Sequence, residues 1–529
     1  MAGLTIQDIL QTTPKFCSMH LQPLVALDGG ALTLLTVQTN LFIGTLAPFA
    51  MQRPELRSIL NAAMNFDLSY ALLSNLHSGQ FMLTEVDHGL DARNLRTTAT
   101  IMPDGDIDLH TPSPDDAKVM PPATPRSGIP IVAIVMARLV AEGNDCGVRP
   151  ILVQIGDGNQ ICKNIISKAL PTRTGTHPID HTITYFSHVR LPRSALLGSI
   201  EGTGDKRADF ASAIHRVAVG TLCISGSVIP FLKVASYVAD QYSRNRLVTG
   251  HDGNPISVIE FRTQSLPILH AVAQYSVLGS FFISAAKSFG DMSLDPRVRH
   301  GIATAFKAVA INHFSKSIKA MNERCGWHGH FAHNQLLQLE LEMRGASTAE
   351  GDLRVLAIRL ASELLIGRYK LPPPRSPTSI IAQHETGLFS EAKSLLQHSA
   401  QGNHRSESFN RNILPLCLPL VEAIGYRMAF EAAQEANVDP KLVQLYEAGV
   451  IKEDPAWYAE QGGLCRDVQR EMESQAVDDL LPHLQNIMQE SGMQDYCNAP
   501  MASKFLWDGF VGRLETFKGN APPDLLARL

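Results

Sequence analysis

The chain has 529 residues, more than one hydrophobic core usually organises, so roughly two to four structural units are expected. Hydrophobic residues make up 45% and charged residues 18%, a balance that excludes a disordered chain. The formal net charge of −5 argues against a nucleic-acid partner, since a phosphate-binding surface carries a basic excess, but it leaves room for one small basic pocket.

Taken in chain order, Met1 to Cys17 carries Gln7, Asp8 and Gln11 where a secretory leader would hold its apolar stretch, so no leader is expected. Residues 54–73 place Leu56, Ile59, Leu60, Ala63, Met64 and Leu68 at helical spacing, with Pro54 suited to a first helical position. After Gly79 the pattern changes. Gln80–Val86, Leu95–Ile101, Pro130–Leu139, Pro150–Ile155 and Thr182–Val189 are short, rich in β-branched or apolar residues, and separated by Gly, Pro, Asp and Asn, the punctuation of strands and turns. Long helical patterns return with Phe210–Arg246, interrupted at Pro230, then Ile259–Ser288, Val298–Arg324 and Leu353–Leu365. Leu371 to Pro377 holds four prolines and cannot continue a helix. The expected units are therefore helical 1–78, β-rich 79–205, a helical bundle 206–370, a Pro-containing linker 371–409, and a last helical unit 410–529. Strands and helices are segregated rather than alternating, which argues against a doubly wound sheet and for a mainly α chain with a central β domain. No run of eighteen apolar residues exists, and Ile129–Val140 is broken by Arg138, so no membrane span is expected. The eight cysteines form no C-x-x-C pair and read as reduced, intracellular thiols.

Several short segments carry chemistry or imitate it. Thr84-Glu-Val-Asp-His-Gly89 leaves a strand into a turn, and Thr97-Thr-Ala-Thr100 opens the next strand. An ordinary hairpin explains both, yet a Thr hydroxyl and turn amides also suit a planar heteroaromatic ring, with Gly89 allowing close backbone approach or positive φ. Arg246 closes a helix, where a cation complements the dipole, and an arginine fork also fits a diphosphate. His328, His330 and His333 sit on a Gly turn without the carboxylate or Cys pattern of a zinc site, so no metal is expected. Ser347 and Glu350 fit an S-x-x-E capping box ahead of Leu353–Leu365.

Taken together these segments resemble acyl-CoA oxidases and dehydrogenases. Thr84 to Gly89 with Thr97 to Thr100 is similar to the family's T-E-x-x-H-G and T-T-A-T blocks, and His110-Thr-Pro112 with Ala117-Lys118 resembles its next strand. Tyr242 to Arg246 resembles Y-x-x-x-R, Cys325-Gly-Trp-His-Gly329 resembles C-G-G-H-G, and Ala349-Glu-Gly-Asp352 resembles the E-G-D segment. The resemblance implies the acyl-CoA dehydrogenase/oxidase fold, mainly α with a central β-barrel-like domain and an extra C-terminal helical domain. It implies FAD, with Thr84, Gly89, Arg246, Gln264, Gly326 and Gly351 as cofactor residues, and Glu350 as the base that takes the α-proton of an acyl-CoA thioester. It further implies O2 as acceptor with release of H2O2, and a homodimer in which Arg246 reaches the partner's FAD. The tail Ala527-Arg528-Leu529 has the small-basic-Leu form of a peroxisomal address, with the cytoplasm as the alternative location. One departure stands out: where the family has an aromatic pair and glycines beside the flavin, this chain has Lys118-Val-Met-Pro-Pro122. A desaturase or oxidase of a specialised thioester or non-CoA substrate, and a flavin-free homologue without catalysis, are the competing expectations.

Overall fold

The computed structural model describes residues 3–65, 77–173 and 179–520. Part of the helix expected over 54–73 and the tail tripeptide 527–529 lie outside the described residues. Among the described residues, five short α-helices open the chain: α1 (Ile6–Leu10), α2 (Pro14–Ser18), α3 (Gly29–Thr36), α4 (Gly44–Gln52) and α5 (Arg57–Met64). The helix of α3 runs into that of α4 through a π-helical stretch, Val37–Ile43.

Nine strands follow: β1 (Ser78–Met82), β2 (Thr98–Ile101), β3 (Ile107–His110), β4 (Lys118–Pro122), β5 (Ile131–Ala141), β6 (Asn144–Gly156), β7 (Ile165–Ala169), β8 (His181–Phe186) and β9 (Val189–Leu191). Strand β5 is the hub. It pairs in parallel first with β1 and then with β2, and in antiparallel fashion with the long β6. Strands β3 and β9 extend the sheet beyond β2, and β4-β8-β7 forms a second sheet. The two-residue period of β5 explains how this unit attaches to the rest. Val132, Ile134 and Met136 join the core of the helices, while Ala133, Val135, Ala137 and Leu139 line a separate core inside the β unit. β4 lies outside the strands the β-branched pattern singled out, although Ala117-Lys118 resembles part of a family strand. It is an edge strand with a register shift between Val119 and Pro122, a place where proline is tolerated.

Helices α6 (Lys206–Ala213), α7 (His215–Gly226) and α8 (Val228–Asn245) come next, then a small hairpin, β10 (Leu247–Thr249) and β11 (Pro255–Ser257). Helices α9 (Arg262–Gly290), α10 (Pro296–Glu323), α11 (Leu336–Thr348) and α12 (Leu353–Leu365) complete the bundle. The break expected at Pro230 falls at Ser227 instead, because Pro230 lies in the first turn of α8, where its missing N–H costs nothing. The expected linker 371–409 is also corrected. Its middle is helical: α13 (Ile380–His398), capped by the Ser379 hydroxyl, which accepts from the Ala382 N–H, lies between two non-helical stretches, 371–379 and 399–406. α13 docks on α15 (Leu414–Glu435), which follows the short α14 (Glu407–Asn412). Arg427 of α15, buried, bridges Glu385 of α13 at 2.6 Å and its own Glu431 at 3.0 Å. One apolar core runs from Ile9 to Ala502, so the C-terminal helices are fused to the bundle rather than strung beyond it.

Three helical stretches, Gly29–Gln52, His215–Asn245 and Arg262–Gly290, reach the length and hydropathy of a bilayer-crossing segment. Between 61% and 78% of each apolar window is buried inside the protein, as central bundle helices require. All eight cysteines are free thiols.

Candidate active site

The short connection between α11 and α12 holds Glu350. The expected capping box does not form. Ser347 is still inside α11 and donates its hydroxyl to the Arg344 carbonyl, while Asp352 caps α12 by accepting from the N–H groups of Arg354 at 3.0 Å and Val355 at 3.1 Å. An aspartate directly ahead of the helix outcompetes a serine five residues earlier, and Glu350 is left without a capping task. Glu350 has φ +54° and Gly351 has φ +91°. A Cβ on Gly351 would also meet Leu356 at 3.0 Å, so position 351 needs glycine twice over.

Three consecutive carbonyls of this loop are tied down from neighbouring helices. Thr221 of α7 donates its hydroxyl to the Glu350 carbonyl at 2.7 Å. Lys307 of α10 donates its ammonium to the carbonyls of Ala349 and Gly351, both at 2.7 Å. The Glu350 side chain lies against the bare backbone of α7: a Cβ on Gly220 would stand 2.6 Å from a carboxylate oxygen. Burial pushes the Glu350 carboxyl up to about 8, although Lys307 and Arg216 pull the other way. Lys307 is fully buried and burial pushes it down to about 8, partly offset by Glu350 and Asp352. Arg216 is 5% exposed; it donates Nε to the Asn40 carbonyl at 3.0 Å and Nη1 to the Ile9 carbonyl at 2.9 Å, while its Nη2 has no partner among the described residues. Sequence reasoning missed Arg216, Gly220, Thr221 and Lys307. The available signal was a lone cation inside an apolar helical run, Lys307 within Gly301–Ile311 and Arg216 ahead of Val217–Val219.

Arg216 also lines a cavity of about 830 Å³. Its walls come from α4 (Gly44, Phe49), β6 (Arg149, Pro150), the stretch 197–203 and the α6–α7 junction, so the helical and β units meet there.

Thr84 and Gly89 flank a buried carboxylate, Glu85. It accepts from the amides of Arg96 at 2.7 Å and Thr97 at 2.8 Å, and pairs with Lys118 at 2.9 Å. Burial alone would raise Glu85, but Lys118 and these amides outweigh it and hold the carboxyl below its ordinary range. The glycine at 89 does not have positive φ; a Cβ there would meet only a Thr84 methyl at 4.0 Å, so what it offers is an open, exposed backbone beside Thr84. Across from it, Met120 adopts φ +85°, and His181 and Thr182 bind the carbonyls of Met120 and Pro121, both at 2.8 Å.

Arg246, Gln264 and Gly326 form a third group. Arg246 caps α8, is exposed, and its charge is felt by His328 of the glycine turn. Gln264 donates its amide to the Ser243 hydroxyl at 2.8 Å and to the Arg324 carbonyl at 3.3 Å, tying α8, α9 and α10 together. Gly326 has φ +57° with open space around it, and the N-terminus of α9 carries no side-chain cap. A cation beside an uncapped helix start suits a phosphate group. No hydrogen bond or ion pair among the described residues joins the three groups to one another. His330 and His333 of the same turn make no metal cluster among the described residues.

The element order, the curled sheet and the Glu350 loop between bundle helices fit the acyl-CoA dehydrogenase/oxidase fold. Solved structures agree. The chain superposes on acyl-CoA oxidase 1 of Yarrowia lipolytica with a TM-score of 0.79 at 16% identity, covering 99% of this chain and 86% of that one. Acyl-CoA oxidase-1 of Caenorhabditis elegans, complexed with FAD and ATP, gives a TM-score of 0.77 at 17% identity, covering 99% and 89%. Residues 220–365 match the acyl-CoA oxidase C-alpha1 domain family. Human peroxisomal acyl-coenzyme A oxidase 3 is 28% identical over 315 residues, 54% of this chain and 45% of that protein. An Arabidopsis thaliana putative peroxisomal acyl-coenzyme A oxidase 1.2 is 26% identical over 401 residues, 70% of this chain and 59% of that protein. The matches thus span about half the length of these relatives. Residues 220–365 thus match an acyl-CoA oxidase domain, and the chain as a whole is similar in sequence and fold to acyl-CoA oxidases.

Proposed function

We propose that this protein is a FAD-dependent acyl-CoA oxidase that converts an acyl-CoA thioester to the trans-2-enoyl-CoA, with Glu350 as the base. The observation that carries the reading is the Glu350 loop: a carboxyl raised to about 8 on a backbone of positive φ, pinned through its neighbouring carbonyls. Such strain and burial are characteristic of functional carboxylates. The α-proton of a thioester is weakly acidic, so the base must be poised near the working pH and the carbonyl must be polarised as charge develops. The Glu350 N–H has no acceptor among the described residues, which suits it to donate to that carbonyl. The cavity beside Arg216 is the candidate thioester channel.

Bound FAD would supply the hydride acceptor at the β-carbon, and O2 would take the electrons on as H2O2. The residues fit such a cofactor at two places. Thr84 and the open backbone at Gly89 would lie along the ring, and Arg246, Gln264, Gly326 and the start of α9 would take the diphosphate, Arg246 reaching across a homodimer. Gly351 serves by giving the base loop its turn. The names of the relatives support a peroxisomal location, and Ala527-Arg528-Leu529 is the proposed address. The displacement of an aromatic wall by Lys118 to Pro122, with Met120 in a left-handed conformation, favours a second reading: a specialised thioester in place of a straight-chain acyl-CoA. The test is the visible spectrum of the purified protein, titrated anaerobically with a panel of acyl-CoAs and followed by H2O2 release in air. Flavin bleaching by at least one thioester is expected. A colourless protein that rebinds no FAD would refute the proposal in favour of a flavin-free homologue.

A further inference from the structure

We infer that Lys307 is the positioning residue for the base: its ammonium, hydrogen-bonded to the carbonyls on both sides of Glu350, holds that carboxylate on target and supplies its balancing charge. The inference rests on the proposed role of Glu350 and deepens it. A lysine is rarely buried without a carboxylate in direct contact, because losing water around the ammonium costs several kcal/mol. Lys307 is fully buried, yet among the described residues no carboxylate lies within ion-pair distance; its partners are the Ala349 and Gly351 carbonyls, both at 2.7 Å. The contrast within the same molecule is Lys118, equally buried, which does contact a carboxylate, Glu85 at 2.9 Å. A purely structural staple could use a neutral donor, as Thr221 does toward the Glu350 carbonyl. A full charge at this point acts on Glu350, whose ionised form it favours.

The geometry adds a second effect. Positive φ at Glu350 is a conformation an L residue leaves readily, while Gly351 adopts it without cost. The ammonium pins the 349–350 and 351–352 peptide planes, and Thr221 pins the 350–351 plane between them, so together they fix the backbone on both sides of Glu350 and the direction of its Cβ. The groups that face this unit are Arg216 and Cys223 from α7, Asp352 from the loop itself, and His300 from α10, which feels the Lys307 charge. Of these, Arg216 shares the task of favouring the ionised carboxylate, so Lys307 is not expected to account for all of it.

The test compares Lys307→Met and Lys307→Arg with the flavin-loaded wild type. In Lys307→Met, kcat should fall about 10- to 100-fold with KM changed less than about threefold, and the acid limb of the kcat/KM profile should move up by about one pH unit. Lys307→Arg keeps the charge, so its limb should stay in place while kcat drops through altered geometry. An unshifted limb in Lys307→Met, with loss confined to thermal stability, would overturn the inference. Should Lys307→Met fail to fold, Lys307→Arg decides, and an unchanged kcat there overturns it. Independent of turnover, the infrared carboxyl band of Glu350, identified by its loss in Glu350→Gln, should persist to higher pH in Lys307→Met, and amide exchange over 346–352 should speed up. A wild type that desaturates no thioester, while Lys307→Met shows both of these changes, would sink the proposed activity and leave the Lys307 clamp standing; absence of both changes sinks the clamp.

Discussion

Two carboxylates, one buried and one partly exposed and each accompanied by a buried lysine, sit in the two halves of this molecule and behave oppositely. Glu85, in the β unit, accepts from two backbone amides and touches Lys118 directly, and its carboxyl is held below the ordinary range. Glu350, between helices, receives no such donors; its lysine binds the backbone around it, and burial lifts the carboxyl to about 8. Placing the same residue types in two hydrogen-bonding environments separates a carboxyl held ionised from one that keeps its proton up to about pH 8. The lesson is that a glutamate's role is decided by what its oxygens touch, not by the presence of a nearby cation.

The comparison can be broken most directly at Glu350. Glu350→Gln is expected to keep the fold and any flavin spectrum yet lower α,β-desaturation by about 10²- to 10⁴-fold, read by stopped-flow bleaching. Undiminished turnover would remove Glu350 from the role. Glu85→Ala should do the reverse. It strands Lys118 in the core and should cost about 3–5 kcal/mol in denaturant unfolding, while the pH limb of whatever activity survives stays where it was. If Glu85→Ala is neutral in stability, the two carboxylates are not the contrasting pair described here. Gly220→Ala is the intermediate case. Its new methyl would collide with the Glu350 carboxylate, and the expected cost is about 1–3 kcal/mol of overpacking together with a loss of kcat.

Stability against pH sharpens the same point. The folded-state value of Glu350 is raised above its unfolded value, from 4.5 to about 8, so the folded state keeps a proton that the unfolded chain gives up. Stability should therefore decline as pH rises from about 4.5 to about 8, and Glu350→Gln should remove that part of the slope in pH-dependent urea melts. The smallest effect is predicted at the edge strand. Met120→Gly relieves a left-handed residue and should raise stability by up to about 1 kcal/mol, with any change in substrate preference read from the acyl-CoA panel.

Much of the architecture was legible beforehand because its physics is local. Leu353–Leu365 is helical over the limits its apolar period suggested, and β5 alternates between two cores as a half-buried strand should. The S-x-x-E reading failed because a motif spacing cannot tell whether the preceding helix has already ended; α11 runs on through Ser347. The linker reading failed because the prolines at 372–374 and 377 stop one helix but say nothing about Ser379, which starts another.

What the sequence by itself determined is the order of helical and β segments, the turn residues between them and the motifs that resemble acyl-CoA oxidases, since these depend on residues close along the chain. Only the tertiary structure decided that Lys307 and Thr221 hold the carbonyls around Glu350, that Gly220 makes room for its side chain, and that Glu85 is spent on Lys118. Those contacts join residues from about 30 to 130 positions apart, and burial, which sets whether a carboxyl keeps its proton, exists only once the helices have packed.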